Sequence, residues 1–182
     1  MMAEENRRKE WNDMNQRTIF LAGGCYWGVE KYVSNICGVL ETEVGFANGH
    51  LDSPAYAQVK KGDTGHAETV RVVYDGDVLP LSTLLRLFFR IIDPTSFEQQ
   101  GEDVGNQYRT GVYWTDGADE AVVGMALSQL QSQYDKPLVV EALLLDAFWP
   151  AEEYHQKYLD KNPTGYCHVP WDMIEWVKTA EV

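Results

Sequence analysis

Positive charge is scarce in this chain. Fifteen Lys and Arg stand against 28 Asp and Glu in 182 residues, and the formal net charge is −13. That balance argues against nucleic acid and against anionic membrane surfaces as partners. Cysteine is scarce too: Cys25, Cys37 and Cys167 are the three. They are too few for a disulfide scaffold, and nothing here has the paired-ligand spacing of C-x-x-C or H-E-x-x-H. Metal binding through Cys25, His66, His155 and Cys167 is thereby disfavoured. No apolar run approaches the length of a membrane helix, and Met1 to Gln16 lacks a signal-peptide core. A cytoplasmic location is expected. An odd number of thiols in such a setting favours redox or nucleophilic chemistry for at least one. Repeats, low-complexity stretches and dividing linkers are also missing. Residues 1–16 therefore read as a polar N-terminal arm and 17–182 as one domain, expected to be a monomer. With 45% hydrophobic residues, six Trp and ten Tyr, the chain can build a substantial core.

Within that domain the segment Gly23-Gly24-Cys25-Tyr26-Trp27-Gly28 is the most informative. It follows the apolar run Ile19-Phe20-Leu21-Ala22, a strand, and precedes Val29 to Val33, a helix. Cys25 then sits at a helix N-terminus, where backbone N–H groups stabilise a thiolate and lower the thiol pKa. Glycines allow close approach to the sulfur, and Tyr26 and Trp27 offer an apolar wall. Beyond it, Leu40, Thr42, Val44 and Phe46 alternate with Glu41 and Glu43 as a half-buried strand. A loop covers 47–65, and Thr69 to Tyr74 is a strand. Leu81, Leu84, Leu85, Phe88 and Ile92 recur at helical spacing until Asp93-Pro94 stops them. A long loop spans 95–109, then a strand Gly111 to Thr115, a helix marked by Val123, Leu127, Leu130 and Tyr134, and an apolar strand Pro137 to Asp146. Pro150 is expected to open a helix with Glu152 and Glu153 in its first turn, ended by Asn162-Pro163. The tail after Gly165 reads as irregular. The pattern predicts an α+β fold, a mainly antiparallel sheet with helices packed on it.

Several side chains could act with Cys25. Strand parity puts Glu68 on the face of Val70, Val72 and Tyr74. Burial there would raise its pKa and make it a proton donor near neutral pH. Asp103, Asn106, Tyr108 and Arg109 crowd the end of the long loop. Tyr56 lies in the earlier loop, and Tyr154 and Tyr158 are expected one helical turn apart. Tyrosine hydroxyls can bind an oxygen that gains negative charge. Cys167 lies in a Gly- and Pro-containing tail able to carry a second thiol to the first, as a resolving cysteine must. Cys37, before Gly38 at a helix C-terminus, reads as a buried structural thiol.

Taken together and in order, these segments resemble the peptide methionine sulfoxide reductase A family over about residues 18 to 168. The motifs are Gly24-Cys25-Tyr26-Trp27-Gly28, Gly62 to Glu68, Asp93-Pro94-Thr95, Gln100 to Arg109, and Ala151 to Leu159. The resemblance implies a two-layer α+β sandwich with a ferredoxin-like core. It also implies reduction of the S epimer of methionine sulfoxide, without metal or organic cofactor. By position, it makes Cys25 the nucleophile and Glu68 the acid that protonates the sulfoxide oxygen. Tyr56 and Tyr108 become the hydroxyls that bind that oxygen, with Tyr158 nearby, and Asp103 an organising acid. Tyr26 and Trp27 receive the substrate methyl group, and Cys167 is the resolving cysteine. Thioredoxin is the implied reductant of a Cys25–Cys167 disulfide. Three departures accompany this. The family usually has Phe where Tyr26 stands. Its Gly-Tyr-x-Gly-Gly is Gly45-Phe46-Ala47-Asn48-Gly49 here. No cysteine follows Cys167, which excludes a three-thiol relay through the tail. A thiol peroxidase and a binding module for oxidised methionine peptides stay as alternatives.

Overall fold

The run Ile19 to Ala22 has no polar member to turn towards water, so a strand there must be covered on both faces. The computed structural model describes residues 15–182 and places this run at the centre of a sheet. The strands are β1 (Gln16–Gly23), β2 (Val39–Ala47), β3 (Ala67–Asp75), β4 (Gln99–Gln100), β5 (Asp103–Val104), β6 (Thr110–Trp114), β7 (Glu141–Leu144) and β8 (Phe148–Pro150). The helices are α1 (Tyr26–Val33), α2 (Tyr56–Val59), α3 (Leu81–Phe88), α4 (Asp119–Gln131), α5 (Tyr158–Lys161) and α6 (Trp171–Val177). Six strands form one sheet in the order β7-β6-β1-β3-β2-β8, and β4 and β5 form a separate hairpin. β1 runs antiparallel to β3 and β6, and β2 runs antiparallel to β3 and β8. β7 is parallel to β6 and is reached through α4. The sheet is therefore mixed and the fold is α+β. Among the described residues no helix is long and apolar enough to cross a membrane. The expected arm lies, up to residue 14, outside the described residues.

Side-chain parity divides the core. Ile19, Leu21, Phe46, Val70 and Val72 face one side and pack with α1, α3 and α6 into the larger cluster. Phe20, Ala22, Ala47, Ala67 and Tyr113 face the other side, where Phe148 and Leu145 cover them. Glu68 falls on the first face, opposite Phe46 in the β2–β3 ladder.

Four local expectations are corrected. The strand expected over 137–146 shrinks to β7, because Val139 donates to the Pro94 carbonyl and Leu138 to the Gln131 side chain before the ladder begins. β7 lies at the sheet edge, so its apolar Leu143 and Leu144 are exposed. The helix expected from Pro150 does not form. Pro150 ends β8, and Glu153 to His155 make a 3₁₀ turn. Lys157 then takes a left-handed conformation (φ 52°), so Tyr154 and Tyr158 are not one helical turn apart. The Gln156 amide is spent on both backbone groups of Val44, which holds this break against β2. The loop at 95–109 contains the β4–β5 hairpin and a 3₁₀ turn at Asn106–Tyr108. Finally, the tail is irregular only as far as Pro170. Ile174 and Val177, at helical spacing, then bury one face of α6 against the core.

Candidate active site

β1 ends at Gly23, and the chain must turn sharply to enter α1. Gly24 makes that turn at φ 88°, and a Cβ there would stand 2.8 Å from the Gln100 Cβ. Only glycine meets both demands. Cys25 then occupies the N-cap position of α1, 8% exposed. The backbone N–H groups of Trp27 and Gly28 reach its sulfur, as a helix N-terminus allows. The thiol pKa is nevertheless pushed well above its usual value. Burial is the largest cause and the Glu68 charge the next, and together they outweigh the two N–H groups. The lowered pKa expected from helix position alone is thus corrected: the cysteine is too deeply buried, beside a carboxylate.

Glu68 is itself buried, and its Oε2 accepts a hydrogen bond of 3.1 Å from the Tyr26 N–H. Burial raises its pKa to about 8, Asp103 adds to the rise, and the Tyr26 N–H opposes it. The carboxyl group is therefore largely protonated at neutral pH. Two tyrosines share this field. Tyr56 opens α2 and donates its backbone N–H to Glu152. Tyr108 closes the 3₁₀ turn, whose Asn106 amide donates to the Gly62 carbonyl and braces the two loops together. Both hydroxyls have raised pKa values, to about 12 for Tyr56, from burial first and then from Glu68. They stay protonated, as hydrogen-bond donors must. Asp103, on β5, adds its negative charge to Cys25, Glu68, Tyr56 and Tyr108.

The aromatic residues divide. The Trp27 ring stacks on Tyr158 at 3.7 Å between centroids and 12° between planes. Tyr26 points inward, 1% exposed, against Phe46 and His155, and its hydroxyl has no hydrogen-bond partner among the described residues. His155 joins the set, although the sequence offered it only as a metal ligand. It is buried, accepts the Trp27 indole N–H on Nδ1 at 3.0 Å, and packs on Tyr56 at 4.4 Å. An Nδ1 that accepts carries no proton, and burial lowers the pKa of this ring. His155 is therefore neutral. His66 is also buried, with Nδ1 on the Thr64 hydroxyl. A groove of about 710 Å³ between α3 and α4 shares no residue with this cluster.

The tail closes the site. Cys167 is half-buried and its thiol donates to the Val169 carbonyl. A Cβ on Gly28 would lie 3.2 Å from the Cys167 sulfur, so the tail rests on the first turn of α1. The Tyr166 hydroxyl donates to Asp103 at 2.9 Å, a link the sequence did not signal beyond its place beside Cys167. Cys37 is exposed, not buried: α1 ends at Val33, and the turn to Gly38 (φ 94°) puts it outside. All three thiols are free.

A buried thiol facing a protonated carboxylic acid and two hydroxyls, within an α+β fold, defines a thiol-dependent oxidoreductase. The sequence profile of the family described as peptide methionine sulfoxide reductase matches residues 17–181. The peptide methionine sulfoxide reductase MsrA of Lachnoclostridium phytofermentans is 55% identical over 164 residues, covering 90% of this chain and 99% of that protein. Among solved structures, Mxr1 from Saccharomyces cerevisiae in reduced form superposes with a TM-score of 0.80. It is 38% identical, covering 84% of this chain and 88% of that one. Mxr1 in complex with Trx2 gives a TM-score of 0.56 at 23% identity over 79% and 84% of the two chains, a likeness of fold alone. The chain belongs to the peptide methionine sulfoxide reductase family.

Proposed function

We propose that this enzyme reduces the S epimer of methionine sulfoxide, free or in proteins, and so repairs oxidised proteins. The observation that carries the reading is the buried Glu68 carboxyl, protonated at neutral pH beside the Cys25 thiol. Cys25 rests as the thiol, and the reactive form is the minor one in which the sulfur is a thiolate, held by the Trp27 and Gly28 N–H groups, while Glu68 keeps its proton. The thiolate attacks the sulfoxide sulfur, and Glu68 gives its proton to the oxygen. Tyr56 and Tyr108 hold that oxygen as its charge grows, Asp103 organises the polar side, and Tyr26, Trp27 and Tyr158 shape the apolar side. Methionine leaves and Cys25 becomes a sulfenic acid. Cys167 attacks it, water leaves, and a Cys25–Cys167 disulfide forms.

Thioredoxin is our proposed reductant for that disulfide, supported by the solved complex of the yeast relative with Trx2. The protein acts as a cytoplasmic monomer with no nucleic-acid or membrane partner, in keeping with its net charge of −13. Residues 17–182 form one catalytic domain, preceded by the polar arm 1–16, and no metal or organic cofactor enters the steps. We read β1, β2, β3 and β6 with α1 and α3 as a two-layer, ferredoxin-like unit. The order β6-β1-β3-β2, antiparallel throughout, supports this, and the parallel β7 lies outside the unit.

The test supplies separate S and R epimers of a blocked methionine sulfoxide with dithiothreitol and measures methionine. Reduction of S alone is expected, abolished in Cys25→Ser. Reduction of neither epimer by folded, reduced protein overturns the reading.

A further inference from the structure

The attack of Cys167 on a Cys25 sulfenic acid needs a base for the Cys167 proton. Glu68 has just lost its proton, and its Oε2 is engaged by the Tyr26 N–H. His168, next to Cys167 in the chain, is differently placed. Its Nε2 lies 2.9 Å from the Gly23 carbonyl oxygen. A carbonyl only accepts, so Nε2 carries the proton and Nδ1 of the neutral ring carries the lone pair. That Nδ1 is buried and has no hydrogen-bond partner among the described residues. A buried acceptor left unpaired costs stability, so its retention calls for a reason.

The position of Nδ1 supplies one. The point where a Gly28 Cβ would stand lies 3.1 Å from His168 Nδ1 and 3.2 Å from the Cys167 sulfur. Both atoms thus hang over the same glycine in the first turn of α1, the turn that begins at Cys25. On the other flank of Cys25, a Gly24 Cβ would stand 3.1 Å from His168 Nε2. The imidazole therefore spans the two glycines around the nucleophile. The Cys167 thiol donates to Val169 in this state, and a rotation about its Cα–Cβ bond redirects it within the same small space.

We propose that His168 is the general base of the disulfide-forming step. Its Nδ1 takes the thiol proton as the Cys167 sulfur attacks the Cys25 sulfur. The S–S bond forms, the Cys25 S–O bond breaks, and the imidazolium returns the proton to the departing hydroxide as water. Cys25 is reduced from sulfenic acid to the disulfide level and Cys167 is oxidised to it, so no outside oxidant enters. The titratable groups around His168 are Asp103 on β5, whose charge reaches it, and Cys167 beside it on the tail. Asp103 favours the imidazolium, while burial, the larger effect, keeps the resting ring neutral and able to accept. The step rests on the reading of Cys25 and Cys167 given above.

The experiment is a single turnover. Fully reduced protein is mixed with methionine-S-sulfoxide without reductant, and methionine release and loss of free thiols are followed separately from pH 5.5 to 9. His168→Gln keeps an amide donor for the Gly23 carbonyl but has no titrating base. It is expected to release methionine as the parent does and to close the disulfide about 100-fold more slowly at pH 7. The closure rate should then rise with hydroxide across the range, where the parent levels off above the imidazole pKa. His168→Ala should be accelerated by added imidazole. Closure of His168→Gln at the parent rate overturns the proposal. So does slow closure with the parent pH profile and no response of His168→Ala to imidazole, since that marks a residue that only shapes the tail. If the parent itself releases no methionine, the function reading fails instead, a separate result.

Discussion

Glu68 ties the stability of the fold to pH through a single buried carboxyl. In the unfolded chain its carboxyl titrates near 4.5, and in the fold near 8. Below pH 4.5 it is protonated in both states and costs nothing. As pH rises from 4.5 towards 8 the unfolded chain gives up the proton and the folded one keeps it, so stability falls. Above 8 the full cost is present, on the order of a few kcal/mol. Glu68→Gln removes it while its amide oxygen can still accept the Tyr26 N–H. The expected outcome is a Tm close to the parent at pH 4.5 and increasingly above it towards pH 9, measured by thermal unfolding in a series of buffers. The same variant should lose sulfoxide reduction by about 100-fold or more at pH 7, and with it the fall in the parent's rate above pH 8. The burial of Glu68 on the apolar face was legible in strand parity, because a strand offers only two faces. The state of Cys25 was not. Its helix position could be read from the neighbouring residues, but its depth and the closeness of Glu68 arise from pairing between β1, β3 and β2, distant in sequence.

Elements differ in how far the chain announces them. α3 and β1 were legible because one face, or both, is continuously apolar. The segment Ala151 to Lys161 was not: its composition suits a helix, yet Gln156 and Lys157 spend their polar groups on β2 and α1. Tertiary hydrogen bonds decided its shape. His155 was hidden for the same reason, since its indole partner lies on another element. The contact between α1 and the tail carries a prediction at this scale. In Gly28→Ala the added methyl meets Cys167, His168 and Val169 at 3.1 to 3.2 Å. The helix should gain from the better helix former, while the tail is displaced. We expect single-turnover methionine release to remain within about threefold of the parent, and disulfide closure to slow by about tenfold or more, read by thiol titration.

At the scale of the whole molecule the three cysteines lie at three depths. Cys37 is exposed on the turn after α1, Cys167 is half-buried on the tail, and Cys25 is 8% exposed at the end of the central strand. Alkylation of the reduced protein by a bulky maleimide at pH 7, followed by intact mass and peptide mapping, should mark Cys37 first, Cys167 next and Cys25 last. Reaction of Cys25 ahead of Cys167 would contradict the packing described here. The break in the chain at Lys157 has a wider consequence. Because Tyr158 is hung on α1 by the Lys157 N–H to Glu30 bond rather than by a continuous helix, the stacked Trp27–Tyr158 pair is a joint between two separately held pieces. The fluorescence of the Trp27 indole, once resolved from that of the other five tryptophans, is then a local gauge of whether the pieces have parted.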